Sequence, residues 1–302
     1  MDITKGFVTL AVGHERYYKL AANLLKSYKL RTNEHYPFAI FADRQNEYTR
    51  MFDKVIILEQ PSYSYNDKLQ MLNNPPFTHN IFIDADCIVY GDINTYWEHY
   101  IGNIQYTCGV RCFGKSLPTT STEGWFNIND IGEYKDKITF IPQMHGGIIF
   151  FTDDHITKKI YNLSQCIAEN YSKYKFKYFN SPADEPILAL CMAINNIHPI
   201  ELSSSESEKA FCFYPTVCKI RTTNTHRCLL DVSPDGNRWI SNVKLLHWQN
   251  VNTQKPIYRI EVAKLSINYN FILAILYYFY HSSYFLNNQI HRIIRKIKQV
   301  CH

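Results

Sequence analysis

The amino-acid sequence predicts an α/β fold with a mixed, mostly parallel sheet, helices on both faces of that sheet, and a helical tail at the C-terminus. The chain has 302 residues, 46% of them hydrophobic and 20% charged, which suits one large domain with a substantial core. Short apolar runs alternate with helix-like segments, and polar residues follow the apolar runs where strands would end. We expect the main domain over residues 1–262 and the tail over 263–302.

The N-terminal third supplies the first strands of the predicted sheet. A helix is predicted over 15–30, where Leu20, Leu24 and Tyr28 form one apolar stripe, and a short helix over 68–72. Buried strands are predicted for three apolar runs, 7–12, 38–42 and 55–58.

The most informative segment is the run IFIDADCIVY at 81–90. Asp84 and Asp86 stand two residues apart at the end of an apolar strand, so their side chains share one face. Adjacent carboxylates in apolar surroundings repel each other and lose hydration, and a hard divalent cation relieves both costs. Ligands of parallel sheets bind beyond the carboxyl ends of the strands, where Gly13 and Asp43 also fall. We therefore predict a metal and diphosphate site at this edge.

The middle of the chain is less regular, and 111–141 is predicted to be a long loop region. A strand over 145–151 is entered through Gly146 and Gly147. Two glycines either let a ligand or another backbone approach closely or form a tight turn into a core strand. A helix is predicted over 153–171.

Two later segments carry further candidate residues. A helix over 184–193 opens with Asp184 and Glu185, which either complement the helix dipole or face a substrate. A short strand beginning at residue 243 ends at His247, which is either a hydrogen-bonded core residue or the group that closes the site.

With Asp84-Ala85-Asp86, the glycine pair, Asp184-Glu185 and His247 in this order, the chain resembles the GT-A glycosyltransferases. It looks most like their family 8, which includes glycogenin-like and bacterial lipopolysaccharide sugar transferases. The resemblance covers roughly residues 6–256 and implies the GT-A fold, which is Rossmann-like. Two departures stand out. The family usually has Asn-Ser-Gly where this chain has His145-Gly146-Gly147, and it has a shorter gap than the one from His247 to Lys255.

The resemblance also implies a role for each candidate residue. Asp84, Asp86 and His247 would hold Mn²⁺ or Mg²⁺, which binds the diphosphate of a nucleotide sugar. Asp184 and Glu185 would be the catalytic residues, near the transferred sugar and the acceptor. The implied donor-binding residues are Ala11, Val12, Gly13, Asp43, Lys68, Asp84, Ala85, Gly146, Gly147 and Lys255.

The predicted function is transfer of a sugar from a nucleotide sugar, a UDP-sugar above all, to a glycan or lipid-linked acceptor. The resemblance implies retention of configuration, while the residues themselves leave retention and inversion open. One alternative is a non-catalytic nucleotide- or sugar-binding protein on the same fold. Another is a sugar-phosphate nucleotidyltransferase, which would carry a Gly-x-Gly-Thr-Arg loop where this chain has Ala11-Val12-Gly13-His14-Glu15.

Charge and cysteine content bound the partners and the compartment. The net charge of +5 is concentrated in the tail, so no nucleic-acid partner is expected. The apolar run 267–280 is too short to span a bilayer. The basic amphipathic segment 287–300 either lies on an anionic membrane surface or packs on protein. Nine scattered cysteines and an N-terminus unlike a signal peptide predict a cytoplasmic protein, peripheral on the inner face of a membrane if the tail binds there. A zinc set would need an unusual spacing of its ligands, Cys212, Cys218, His226 and Cys228.

Overall fold

The described residues divide into two compact units, with the division between residues 249 and 250. The expected domain over 1–262 and tail over 263–302 stay a prediction. Most of the predicted tail, 263–302, lies outside the described residues, which end at residue 266, and so does part of the possible zinc set. The computed structural model describes residues 4–101, 108–213, 219–222, 228–231 and 239–266.

The strands of the described residues are β1 (Lys5–Ala11), β2 (Phe38–Ala42), β3 (Lys54–Ile57), β4 (His79–Ile83), β5 (Cys87–Val89), β6 (Val110–Leu117), β7 (Ile141–Thr152), β8 (Cys212–Phe213), β9 (Lys219–Thr222), β10 (Cys228–Asp231), β11 (Trp239–Ser241) and β12 (Leu245–His247). The α-helices are α1 (Glu15–Arg31), α2 (Tyr96–Ile101), α3 (His155–Glu169), α4 (Asp184–Ile194), α5 (Ser204–Ala210), α6 (Gln249–Asn252) and α7 (Pro256–Ser266). Short 3-10 helices include Tyr65–Asn73, Ile128–Asp130 and Gly132–Lys137.

The main sheet has six strands in the order β3-β2-β1-β4-β7-β6. Neighbours from β3 to β4 are parallel, and β7 runs antiparallel to both β4 and β6. The predicted α/β fold with a mixed, mostly parallel sheet is therefore confirmed. A small sheet of order β5-β12-β8 and an antiparallel sheet of order β11-β10-β9 complete the described strands.

Helices pack on both faces of the main sheet because its strands alternate their apolar side chains between two cores. Phe7 and Ile81 belong to the core that contains Leu24 of α1. The adjacent strand residues Val8 and Phe82 point into the other core, together with side chains of α3 and α4. Each face of a central strand is thus buried, which explains why these strands read as continuous apolar runs.

The prediction of a long loop over 111–141 is wrong for the first residues of that segment. Residues Val110–Leu117 form β6, which pairs only with β7 among the named strands and therefore lies at the edge of the sheet. Arg111, Gly114 and Lys115 interrupt its apolar pattern, as edge strands tolerate. The rest of the segment contains the 3-10 turns given above.

The sequence predicted that the glycine pair lies at the start of a strand. In the structure the pair lies within a longer strand. Strand β7 already begins at Ile141, and its register with β6 shifts between Cys112 and Gly114. Gly146 and Gly147 sit opposite this irregularity. A β-bulge of this kind bends the strand and re-aims its backbone groups, and here it turns them toward the residues of the candidate site.

No helix in the described part of the chain is both long enough and apolar enough to cross a membrane. The second unit contains α7, in which Lys264 donates to Glu261 at 2.6 Å.

Candidate functional site

The Asp84-Ala85-Asp86 segment forms the turn between β4 and β5, at the carboxyl end of β4. The N–H of Asp84 donates to Gly147 O at 3.1 Å, which ties the turn to β7. The N–H of Cys87 donates back to Asp84 O at 3.1 Å. Both side chains are about one-sixth exposed, 17% for Asp84 and 16% for Asp86, so both carboxylates are partly accessible to solvent.

Strand β12 brings His247 to this turn. It runs antiparallel to β5 with His247 opposite Cys87, and the N–H of Trp248 donates to Asp86 O at 3.1 Å. The Nε2 atom of His247 therefore lies 3.0 Å from Asp86 Oδ1 and 3.8 Å from Asp84 Oδ2. His247, from a distant part of the sequence, thus contacts Asp86 directly and lies near Asp84.

Burial and charge act in opposite directions on these groups. Burial alone would raise the pKa of Asp86, but the hydrogen bond and charge of His247 outweigh it and lower that pKa. Burial alone would lower the pKa of His247, and Asp86 more than reverses this. Burial raises the pKa of Asp84 in spite of Lys68 and His247. Asp86 and His247 therefore each favour the charged form of the other, and a metal ion bound by the neutral imidazole would compete with this pairing.

Lys68 connects the turn to helix α4. Its Nζ lies 3.0 Å from Asp84 Oδ1 and 2.8 Å from Asp184 Oδ2, and it donates to Gly146 O at 3.2 Å. Burial lowers the pKa of Lys68, but the charges of Asp184 and Asp84 dominate and hold it well above its ordinary value. An ammonium group has three N–H donors, and three acceptors are present. A direct contact of Lys68 with a donor substrate would therefore replace one of them.

Glu185 is held against the bulged part of β7. Its Oε1 accepts from the N–H of Gly146 at 2.7 Å. A Cβ on Gly146 would come within 2.7 Å of Asp184 Oδ2 and 2.9 Å of Glu185 Cγ, so only glycine permits this approach. Burial and the neighbouring charge of Asp184 raise the pKa of Glu185 to about 7.

His145 lies between Glu185 and His247, but it is not their ionic partner. Burial and the positive charges of His247 and Lys68 lower its pKa to about 3, so its ring is neutral at neutral pH. The N–H of Gly147 donates to His145 Nδ1 at 3.1 Å, which leaves the ring proton on Nε2. That Nε2 is 3.4 Å from Glu185 Oε1, and because the ring is neutral this contact is not a salt bridge.

The predicted donor-binding residues Ala11, Val12 and Gly13 lie at the end of β1, beside the end of β2. Asp43 closes this corner: its carboxylate accepts from the Gly13 N–H at 3.2 Å and from the Tyr18 hydroxyl. Gly13 has φ +78°, a left-handed conformation that glycine adopts without strain. The carboxylate of Asp43 therefore shapes the Gly13 turn, a role that the sequence did not indicate.

The remaining predicted residues divide between the two units. Ala85 is the middle residue of the turn described above. Lys255 belongs to the second unit, where its N–H donates to Asn252 O at 3.0 Å, and its contact with a donor stays a prediction.

Two residues of the site were missed from the sequence. The ring of Phe211 stacks on His247 with centroids 5.6 Å apart, and nothing in the sequence indicates that contact. Cys87 follows the carboxylates directly, and its adjacency was the only available signal. Asp86, Cys87 and His247 offer ligand atoms within 4.8 Å of one another. Burial raises the pKa of the Cys87 thiol well above its ordinary value, so the thiol stays protonated.

The residues present fit a divalent cation. Carboxylate oxygens and one imidazole nitrogen are ligands that Mn²⁺ accepts, and Mg²⁺ prefers the oxygens. Asp84, Asp86 and His247 would hold such an ion, with Cys87 as a competing ligand for a softer one. No model of a known protein family matches the sequence, and no curated protein matches it. The resemblance to glycosyltransferases therefore stays a prediction.

Proposed function

We propose that this chain is a metal-dependent glycosyltransferase of the GT-A type. It would move a sugar from a nucleotide sugar, a UDP-sugar above all, to a glycan or lipid-linked acceptor. The observation that carries the proposal is the approach of His247 to the two aspartates at the carboxyl end of β4, where its Nε2 lies 3.0 Å from Asp86 Oδ1 and 3.8 Å from Asp84 Oδ2. Ligands of α/β sheets bind at such strand ends, and a hard cation held by few carboxylates keeps room for phosphate oxygens.

The chain's own residues supply charge and positioning. A divalent cation, when bound, neutralises the negative charge that grows on a departing nucleoside diphosphate. Lys68 adds a fixed positive charge beside Asp84, and it holds Asp184 against the glycine pair. Lys68, Asp84 and Asp184 would thus link the part of the site that binds the diphosphate to the part that binds the sugar.

Glu185 is the best candidate for handling a proton. A general base works best when its pKa lies near the operating pH, and the pKa of Glu185 is about 7. In an inverting transfer Glu185 or Asp184 would take the proton of the acceptor hydroxyl. In a retaining transfer the carboxylates would stabilise the positive charge on the sugar. The anomeric configuration of the product, read by NMR, separates the two.

The test combines binding and turnover. The wild-type protein should be stabilised against heat by Mn²⁺ with UDP, and it should release nucleoside diphosphate from at least one member of a panel of UDP-, GDP- and CMP-sugars. Asp86→Asn should lose both effects. Asp136→Asn, which changes an exposed aspartate outside the site, is the matched control and should keep both. Metal-independent release, or unchanged behaviour of Asp86→Asn, would contradict the proposal.

A non-catalytic nucleotide- or sugar-binding protein is the second candidate. It is favoured by Lys68, whose three donors are matched by acceptors of the protein itself. Under this alternative, UDP and Mn²⁺ stabilise the protein while no nucleotide sugar is consumed.

A further inference from the structure

Four aromatic side chains form an exposed cluster close to the candidate site. Tyr65 and Tyr178 are 64% and 80% exposed, and Trp125 and Phe179 are partly buried between them. The Trp125 ring centroid lies 5.9 Å from those of Tyr178 and Phe179, and Tyr65 lies 6.1 Å from Phe179. We call these four residues the aromatic rim. Single exposed aromatic residues are ordinary, but a contiguous group of them marks a binding surface.

A cleft of about 320 Å³ adjoins the aromatic rim. Residues that line the cleft are close in sequence to those of the aromatic rim. Ser64 and Asn66 flank Tyr65, and Ser181 lies two residues after Phe179. Hydroxyl and amide groups predominate, and a single carboxylate is present. The lining residues are Ser62, Ser64, Asn66, Gln165, Ala168, Glu169, Ser181 and Pro182.

The loop before Tyr65 is fixed by hydrogen bonds to a buried carboxylate. Asp67 is fully buried, and its carboxylate accepts from the N–H of Ser62 at 2.6 Å and from the N–H of Tyr63 at 2.8 Å. Gln70 Nε2 donates to the same carboxylate at 3.0 Å. A surface loop fixed in this way loses little further entropy when a ligand binds, which is what a preformed site requires.

The other side of the aromatic rim is also fixed. Trp125 Nε1 donates to Met144 O at 3.0 Å, and the Lys177 N–H donates to Trp125 O at 2.8 Å. Tyr178 has φ +70°, a left-handed conformation that is unusual for a bulky residue. Such conformations persist where the surroundings impose them, and they concentrate at binding sites.

The aromatic rim is joined to the candidate site by short stretches of chain. Tyr65 begins the 3-10 helix that carries Lys68. Phe179 precedes Asp184 by one short loop, and Met144, which Trp125 contacts, lies two residues before Gly146. A ligand on the rim would therefore end close to the Lys68–Asp184 pair.

We propose that the aromatic rim and the adjoining cleft bind a neutral oligosaccharide. Sugar rings present C–H groups that pack on the negative faces of aromatic rings, while their hydroxyl groups pair with neutral polar side chains. Serine, asparagine and glutamine line the cleft, and they match an uncharged polyhydroxylated ligand. The assignment of this oligosaccharide as the acceptor of the transfer rests on the proposed function.

The experiment uses the full chain and an array of defined neutral oligosaccharides. Saccharides that bind are then titrated while the fluorescence of the protein's tryptophans is followed, since Trp125 lies within the rim. Tyr178→Ala and Tyr65→Ala should each weaken saccharide binding about tenfold, because each removes an aromatic contact. Tyr17→Ala, which removes a tyrosine of α1 that is 37% exposed, is the matched control and should bind as the wild type does.

The outcomes separate this proposal from the proposed function. Stabilisation by Mn²⁺ and UDP should be unchanged in both rim variants. If no neutral saccharide binds the wild type, or if the rim variants bind as well as it does, the proposal is overturned. It is also overturned if light scattering shows that the rim variants only convert a dimer into monomers. If saccharides bind through the rim while no nucleotide sugar is used, the saccharide site stands and glycosyl transfer fails.

Discussion

The carboxyl group of Glu185 makes the stability of the folded protein depend on pH. The substitution Glu185→Gln should remove this dependence. Its pKa is 4.5 ordinarily and about 7 in the folded chain, because burial and the charge of Asp184 disfavour ionisation. The folded state therefore holds this proton more tightly than the unfolded state. The resulting stability is fully present below pH 4.5 and is lost as the pH rises through about 7. At about 1.4 kcal/mol for each pKa unit, the loss amounts to about 3 kcal/mol.

Urea unfolding of wild type and variant at several pH values between 4.5 and 8, with EDTA present, measures this effect. Glutamine keeps the oxygen that accepts from the Gly146 N–H, but it has no proton to lose. The free energy of unfolding of Glu185→Gln minus that of the wild type should therefore increase with pH by about 3 kcal/mol. Contributions from titrating groups that do not interact with Glu185 cancel in this difference.

Glu206→Gln provides a control of opposite sign. Hydrogen bonds from the Ser203 side chain and backbone lower the pKa of Glu206, so this residue contributes stability above its unfolded pKa that is lost as the pH falls. The variant should lose stability relative to the wild type as the pH rises toward 4.5, the ordinary pKa of a glutamate, so this pair is also unfolded at pH values below 4.5. A difference for Glu185→Gln that stays flat, or that decreases with pH, would refute the reasoning from burial.

Three further substitutions test other parts of the fold by urea or thermal unfolding. Lys68→Met should cost about 3–5 kcal/mol, because the buried carboxylate of Asp184 and the partly buried one of Asp84 lose their shared cation, and an unchanged midpoint would show that the ion pairs contribute little. Gly146→Ala should cost about 1–3 kcal/mol, since its methyl group would press on Asp184, and a neutral result would mean that the bulge relaxes. Tyr18→Phe should cost about 1 kcal/mol through its lost hydrogen bond to Asp43, and equal stability would show that the bond has no net effect.

The sequence predicted the central strands because they are buried on both faces. Helix α1 and strand β2 follow the predicted bounds closely, and Asp84 and Asp86 fall just after β4, as expected. The edge strand β3 was predicted, whereas the edge strand β6 and the first part of the bulged strand β7 were not. Strand β6 contains charged residues that an edge position tolerates, and the bulge in β7 depends on its pairing with β6, which lies far away in the sequence.

In the candidate site, too, features with a local sequence pattern could be predicted, and features that depend on distant pairing could not. Carboxylates at a strand end could be identified locally, since two neighbouring charges in an apolar run need an explanation. The distances that join them to His247 depend on the pairing of β12 with β5, which no local pattern encodes. The stacking of Phe211 and the Asp43–Tyr18 hydrogen bond depend on tertiary packing alone.

The two oxygens of Asp84 show how one carboxylate could serve both Lys68 and the proposed metal ion. Oδ1 lies 3.0 Å from Lys68 Nζ, while Oδ2 lies on the side of His247 Nε2, at 3.8 Å. The lysine therefore holds the carboxylate in an orientation that leaves its other oxygen directed at the proposed ion. Because Lys68 also contacts Asp184, a shift of Asp84 toward a bound ion would be transmitted to the start of α4. If the proposed ion binds, its binding would thus be coupled to the placement of Asp184 through Lys68, in the way that outer ligands orient inner ones at metal sites.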